Sequence, residues 1–131
     1  MRELRRLVDA LLAEYRVHAI ILFGSRAKGD WLPTSDYDIL VVADFESPFL
    51  DRISELSSLV EGSGLPVEFH PYTLEEVRDM LRREVVSIID ALEEGITLYE
   101  DESFREVREI FEEMKRRGMR RSGTTVILPK E

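Results

Sequence analysis

The sequence predicts an α/β (α+β) domain with a mixed β-sheet of about four to five strands flanked by helices. Three observations predict it. Segments whose apolar residues recur at helical offsets alternate along the chain with short β-branched runs, so helices and strands interleave. Glycines, prolines and capping residues punctuate the boundaries between them. The chain has 131 residues, 44% hydrophobic and 34% charged, which suffices for one core. At that size about two-thirds of the unfolded surface can be buried without disulfides or metals as staples.

The elements follow in order. Leu4, Leu7, Val8, Leu11, Leu12 and Tyr15 fall on one helical face and predict an amphipathic helix over 2–15. His18 to Phe23 is a buried strand that stops at Gly24. From Gly24 to Ser35 the composition is that of a loop, with one helical turn after Ser25. Asp36 to Ala43 is a second strand, polar at its entry and apolar beyond. Pro48 opens a helix whose shared face is Leu50, Ile53, Leu56 and Val60, closed by Gly62 and Gly64. A third strand runs from Pro66 to Tyr72. Thr73 with Glu76 has the capping-box form and starts a helix carrying Leu74, Val77 and Leu81. Val85 to Glu94 is helical up to Gly95, and Ile96 to Tyr99 forms a short edge strand. Ser103 with Glu106 predicts a second capping box, opening a helix that buries Phe104, Val107, Ile110, Phe111 and Met114 before Gly118.

Composition excludes several functions. Without cysteine there is no disulfide scaffold, thiolate zinc site or thiol catalysis, which fits a reducing compartment. The longest apolar run, 17–23, falls far short of the roughly 20 residues of a membrane span. The first residues lack a signal-peptide core, and we expect a cytoplasmic protein without membrane partners. The net charge of −9 is uneven: residues 115–131 carry +5 and residues 1–114 carry −14. We divide the chain accordingly into a domain, 1–114, and a basic C-terminal tail, 115–131. The acidic body argues against broad duplex nucleic-acid binding. The tail is read either as helix-terminal cations complementing the macrodipole or as a docking element. Whether the chain forms a homo-oligomer stays open.

The chemistry lies in Gly24-Ser25-Arg26, ten residues after Ser25, and Asp36-Tyr37-Asp38. Alternation along a strand places Asp36 and Asp38 on one face and Tyr37 on the other. Two carboxylates held together repel unless a cation sits between them. Oxygen donors select hard ions, and Mg²⁺ characteristically combines one or two carboxylates with substrate phosphates. Gly24 lets backbone approach closely, and the Ser25 hydroxyl and following N–H groups suit a phosphate tail. Arg26 and Lys28 add cations to that loop. Each half of the pattern is common; their order, strand, Gly-Ser, ten residues, Asp-x-Asp, strand, is not.

This arrangement resembles the signature of the DNA polymerase β-like nucleotidyltransferase superfamily. The short chain further resembles the minimal nucleotidyltransferases (MNT), often the antitoxin partners of HEPN-domain toxins, over residues 1 to about 100. The resemblance implies a metal site of Asp36 and Asp38 with a third carboxylate from a neighbouring strand. The matching position holds Glu68 in Val67-Glu68-Phe69-His70, where the family usually has aspartate. Either Glu68 serves with a longer reach, or the site is impaired; service is the favoured reading. His70, beside it, could act as base or ligand, but with two histidines and no helix-spaced partner it is left out of the site. His18 is read as strand packing.

The resemblance also implies a mechanism. A nucleoside monophosphate, AMP from ATP, passes to a hydroxyl while pyrophosphate leaves. Two Mg²⁺ ions, with Mn²⁺ as substitute, are held by Asp36, Asp38 and Glu68; Gly24, Ser25 and Arg26 bind the nucleotide. Through the family, the expected acceptor is a tyrosine of a HEPN-type partner. Two alternatives remain: an antitoxin that acts by docking alone, and a nucleotidyltransferase acting on RNA or a small molecule.

Overall fold

A computed structural model describes residues 2–29, 36–118, 120–122 and 125–127. The elements are α1 (Arg2–Glu14), β1 (Val17–Phe23), α2 (Ser25–Lys28), β2 (Tyr37–Ala43), α3 (Phe49–Leu59), β3 (Val67–Tyr72), α4 (Leu74–Arg82), α5 (Val86–Glu94), β4 (Ile96–Glu100), a 3₁₀ turn (Glu102–Phe104), α6 (Arg105–Arg116), β5 (Arg120–Ser122) and β6 (Thr125–Ile127).

The main sheet has four strands in the order β3-β2-β1-β4. β1 runs antiparallel to both β2 and β4, while β2 and β3 are parallel. A parallel pair needs a crossover, and α3 supplies it. The expected mixed sheet flanked by helices is therefore present, with β4 at an edge as anticipated.

Both faces of the sheet are covered. Leu4, Leu7 and Leu11 of α1 and Leu56 of α3 pack on Ile20, Leu22, Ile39, Val41 and Phe69. On the other face, Val77, Leu81, Ile88, Ile89, Phe104, Val107 and Phe111, from α4 to α6, enclose Ile21, Leu40 and Val42. A strand covered on both sides is apolar nearly throughout, and β1 is buried at all seven positions, its one polar residue, His18, being held by Asp44 and Asp101. Gly95 permits the tight turn from α5 into β4: a Cβ there would overlap the Ala91 carbonyl oxygen and the Ile21 side chain.

Two local expectations are corrected. On α3, Leu50 does not share the buried face and is 75% exposed, whereas Arg52 is only 7% exposed. The guanidinium is accommodated because it donates to Glu76 Oε1 (2.7 Å) and Oε2 (3.3 Å) and to the carbonyls of Ser47 (2.8 Å) and Pro71 (3.2 Å). The capping box at Thr73 is present, with both reciprocal bonds. That at Ser103 is not: α6 opens through the 3₁₀ turn, and Asp101 caps it by accepting from the Phe104 N–H. Finally, Lys115 and Arg116 form the last turn of α6, Lys115 reaching Glu93 of α5 at 3.1 Å. Beyond it, β5 and β6 pair as a small antiparallel hairpin that periodicity did not anticipate. Asp30 to Ser35, with Trp31, lie outside the described residues.

Candidate active site

The site forms where the C-terminal end of β1 meets the N-terminal ends of β2 and β3. Phe23 pairs with Asp38 across β1–β2, and Asp38 pairs with Glu68 across β2–β3. In-register neighbours put their side chains on the same face, so two adjacent strands present two carboxylates side by side. Tyr37, Ile39 and Phe69 turn the other way and are buried. The alternation read from the sequence is thus what aims Asp38 and Glu68 out of the sheet.

Gly24 follows β1 with φ 78° and ψ −159°, a conformation essentially confined to glycine. A Cβ at this position would overlap Asp38 Oδ2. The backbone of the Gly-Ser turn therefore lies directly against the Asp38 carboxylate. Ser25 begins α2, half-buried beside it.

Asp38, Glu68 and His70 form one group whose ligand atoms all lie within 4.8 Å of one another. His70 Nε2 lies 3.2 Å from Asp38 Oδ1 and 3.3 Å from Glu68 Oε2. Its ring packs edge-on against Phe23, with centroids 4.9 Å apart. His70 is the residue that sequence reasoning left out. The signal available was alternation: His70 stands two residues after Glu68, on the same face. Asp36 sits exposed, one residue before β2, and is not part of this group.

Arg26 lies elsewhere. Its guanidinium covers the Tyr37 ring at 4.2 Å from the centroid and donates to the Tyr37 hydroxyl at 3.3 Å. Tyr37 belongs to the face opposite Asp38, so a contact from Arg26 to a nucleotide phosphate requires leaving this stack.

Chemically, the grouping suits a divalent cation. Asp38 and Glu68 supply anionic oxygens at the rim of the sheet, their side chains 29% and 61% exposed, open to a phosphate-bearing ligand. A glycine-lined backbone turn lies alongside. A model of the nucleotidyltransferase domain matches residues 4–117. The chain belongs to the nucleotidyltransferase domain family.

A protein of Methanocaldococcus jannaschii provisionally named as a protein adenylyltransferase is 41% identical over 51 residues, 37% of this chain. The match spans about half that relative's length, 51%. Among solved structures, a toxin–antitoxin complex with AMP-PNP matches at a TM-score of 0.60 and 22% identity, covering 88% of both chains. A provisionally named nucleotidyltransferase of Sulfolobus solfataricus matches at 0.54 and 24% identity, over 77% of this chain and 80% of that one. A Shewanella oneidensis complex of a tri-AMPylated HEPN toxin with an MNT antitoxin matches at 0.57 and 18%, over 88% and 85%. These structures share the nucleotidyltransferase fold with this chain. Among the described residues, no helix is long and apolar enough to cross a membrane.

Proposed function

We propose that this nucleotidyltransferase-family protein transfers AMP from ATP to a hydroxyl acceptor, and that the acceptor is a tyrosine of a HEPN-type partner. The observation that carries the reading is the placement of Asp38 beside Glu68 on neighbouring strands and against the Gly24 backbone. The partly matching M. jannaschii relative supports adenylyl transfer to protein. The HEPN toxin complex and the toxin–antitoxin complex among the structural relatives support the partner.

In this reading residues 1–114 are the catalytic domain and 115–131 a basic extension, working in the cytoplasm where ATP is available. Ser25 Oγ and the backbone N–H groups after Gly24 bind the β- and γ-phosphates. Asp36 and Asp38 hold divalent ions, Mg²⁺ or Mn²⁺, which when bound neutralise phosphate charge and make the acceptor hydroxyl more acidic. Glu68 either holds one of these ions or takes the hydroxyl proton as the new P–O bond forms and pyrophosphate leaves. Because such chemistry is mostly positioning and electrostatics, deleting one carboxylate costs orders of magnitude in rate while sparing the fold.

The experiment is incubation with α-labelled ATP, Mg²⁺ and a HEPN-type protein encoded beside this one, with an Asp36→Asn, Asp38→Asn double variant in parallel. Label on a partner tyrosine with wild type alone is the expected result. Label on RNA or a small molecule replaces the acceptor. Neutralisation of the toxin without label transfer, at equal strength in the variant, replaces catalysis with docking.

A further inference from the structure

His70 has no part in the mechanism above, yet its Nε2 lies close to an oxygen of each of the two carboxylates. We infer that His70 Nε2 is a third ligand of the divalent ion at Asp38 and Glu68, and that this nitrogen shifts the site's preference from Mg²⁺ to Mn²⁺. The inference rests on the nucleotidyltransferase reading to the extent that both place an ion at these carboxylates.

The distances support ligation. Adjacent ligands of an octahedral ion at metal–ligand distances of about 2.1–2.3 Å lie roughly 3.0–3.3 Å apart. His70 Nε2 stands 3.2 Å from one carboxylate oxygen and 3.3 Å from the other. All three donor atoms lie within 4.8 Å of one another, as ligands of one ion must. A carboxylate can only accept, so in the hydrogen bond between Nε2 and Asp38 Oδ1 the ring is the donor, while the Glu68 oxygen lies 3.3 Å away. With the ring hydrogen on Nδ1, Nε2 would present its lone pair to an ion in that direction. The edge contact with Phe23 holds the ring in that orientation.

The other histidine shows what a purely structural role looks like. Both ring nitrogens of His18 are engaged at 2.7 Å, Nδ1 by Asp101 and Nε2 by Asp44, and the residue is buried. His70 instead aims one nitrogen at the rim where phosphate would enter. An all-oxygen set serves Mg²⁺ well, whereas imidazole favours transition metals, following the order in which nitrogen affinity rises after Mg²⁺. Mn²⁺ keeps the octahedral geometry and accepts a nitrogen, so it fits the mixed set of two oxygens and one nitrogen.

Pulsed EPR of Mn²⁺ bound to the full chain tests this, with and without a non-hydrolysable ATP analogue. The expected spectrum shows ¹⁴N coupling that converts to ¹⁵N coupling when the protein's histidines are ¹⁵N-labelled, a readout that needs no variant. His70→Phe, which keeps a ring against Phe23, is expected to abolish the coupling. It should also weaken Mn²⁺ at least about tenfold, the lower end of what loss of even an outer partner of a metal costs, while moving Mg²⁺ much less. Mn²⁺ bound with no histidine coupling overturns the inference and leaves the nucleotidyltransferase reading standing. Absence of Mn²⁺ and Mg²⁺ binding even with nucleotide overturns both.

Discussion

Gly24 and Asp38 approach so closely that the space a Cβ would need at residue 24 is taken by the Asp38 carboxylate. The turn proposed to receive the phosphates and the strand that carries the carboxylate are thereby held at one distance. Gly24→Ala must both adopt a backbone conformation costing roughly 1–3 kcal/mol and displace Asp38. We expect the unfolding free energy to fall by about that amount, seen as a lower urea midpoint. Transfer should fall at least about 100-fold, as for a misplacement of about 1 Å at a reacting centre. Thermal or urea unfolding alongside the labelled-ATP assay checks both; a variant with wild-type activity would show that the close approach does not matter.

The Glu68 position separates service from impairment. Its side chain is 61% exposed, so Glu68→Gln should leave stability within about 0.5 kcal/mol of wild type. If the carboxylate holds an ion or accepts the proton, the same change lowers the transfer rate about 10²–10³-fold. Glu68→Asp keeps the charge with a shorter reach and should retain more activity than Glu68→Gln. Equal rates for all three proteins would mark the residue as a bystander. Single-turnover measurements, which isolate the transfer step from partner release, are the appropriate readout.

How much of this was legible depended on whether the information was local. The β1–turn–β2 run could be read because burial on both faces forces continuous apolar strands. Alternation then sufficed to separate Asp38 and Glu68 from Tyr37 and Phe69. His70 was not legible as a neighbour of Asp38, because that contact depends on the parallel β2–β3 register, which no local pattern encodes. Arg52 and Leu50 exchanged roles for a similar reason: helical periodicity ranks Leu50 as the buried residue, but the acceptors for Arg52 come from Ser47, Pro71 and Glu76. The Asp101 cap escaped notice because Ser103 offers the better local pattern.

The Arg52–Glu76 pair ties α3 to α4 across the end of β3, and Glu76 also accepts from the Thr73 N–H. Burial alone would raise the Glu76 carboxyl, but the bonds from Arg52 and Thr73 outweigh it and hold it below its ordinary 4.5. A depressed carboxyl stabilises the fold above that value and loses its contribution as pH falls through the lower folded-state value. Wild type should therefore lose stability below about pH 4.5 more steeply than Arg52→Met, which lacks the pair. At neutral pH, Glu76→Gln leaves the buried guanidinium without its anion, and we expect a loss of about 1–3 kcal/mol by urea unfolding. Parallel acid limbs for wild type and Arg52→Met would place the effect elsewhere.

His18 provides a test at the opposite end of the pH range. Burial by itself would lower its proton affinity, but the hydrogen bonds it donates to Asp44 and Asp101 and their negative charges outweigh that and raise it above the ordinary 6.5. Since both partners are carboxylates and can only accept, the charged ring, with hydrogen on both nitrogens, is the form that serves both bonds and the form the fold favours. A raised folded-state value stabilises fully below 6.5, and the contribution disappears as pH rises through the folded-state value. His18→Gln, which offers one donor group to two carboxylates, should cost about 1–3 kcal/mol near neutrality. The gap between wild type and variant should be widest in mild acid and narrow as pH rises above the ordinary histidine range. Urea midpoints of the two proteins, measured at intervals from about pH 5.5 to about pH 9, where the carboxylates stay ionised, isolate this one titration. A gap that stays constant across the series would mean that the ring is held neutral and that Asp44 and Asp101 contribute through shape alone.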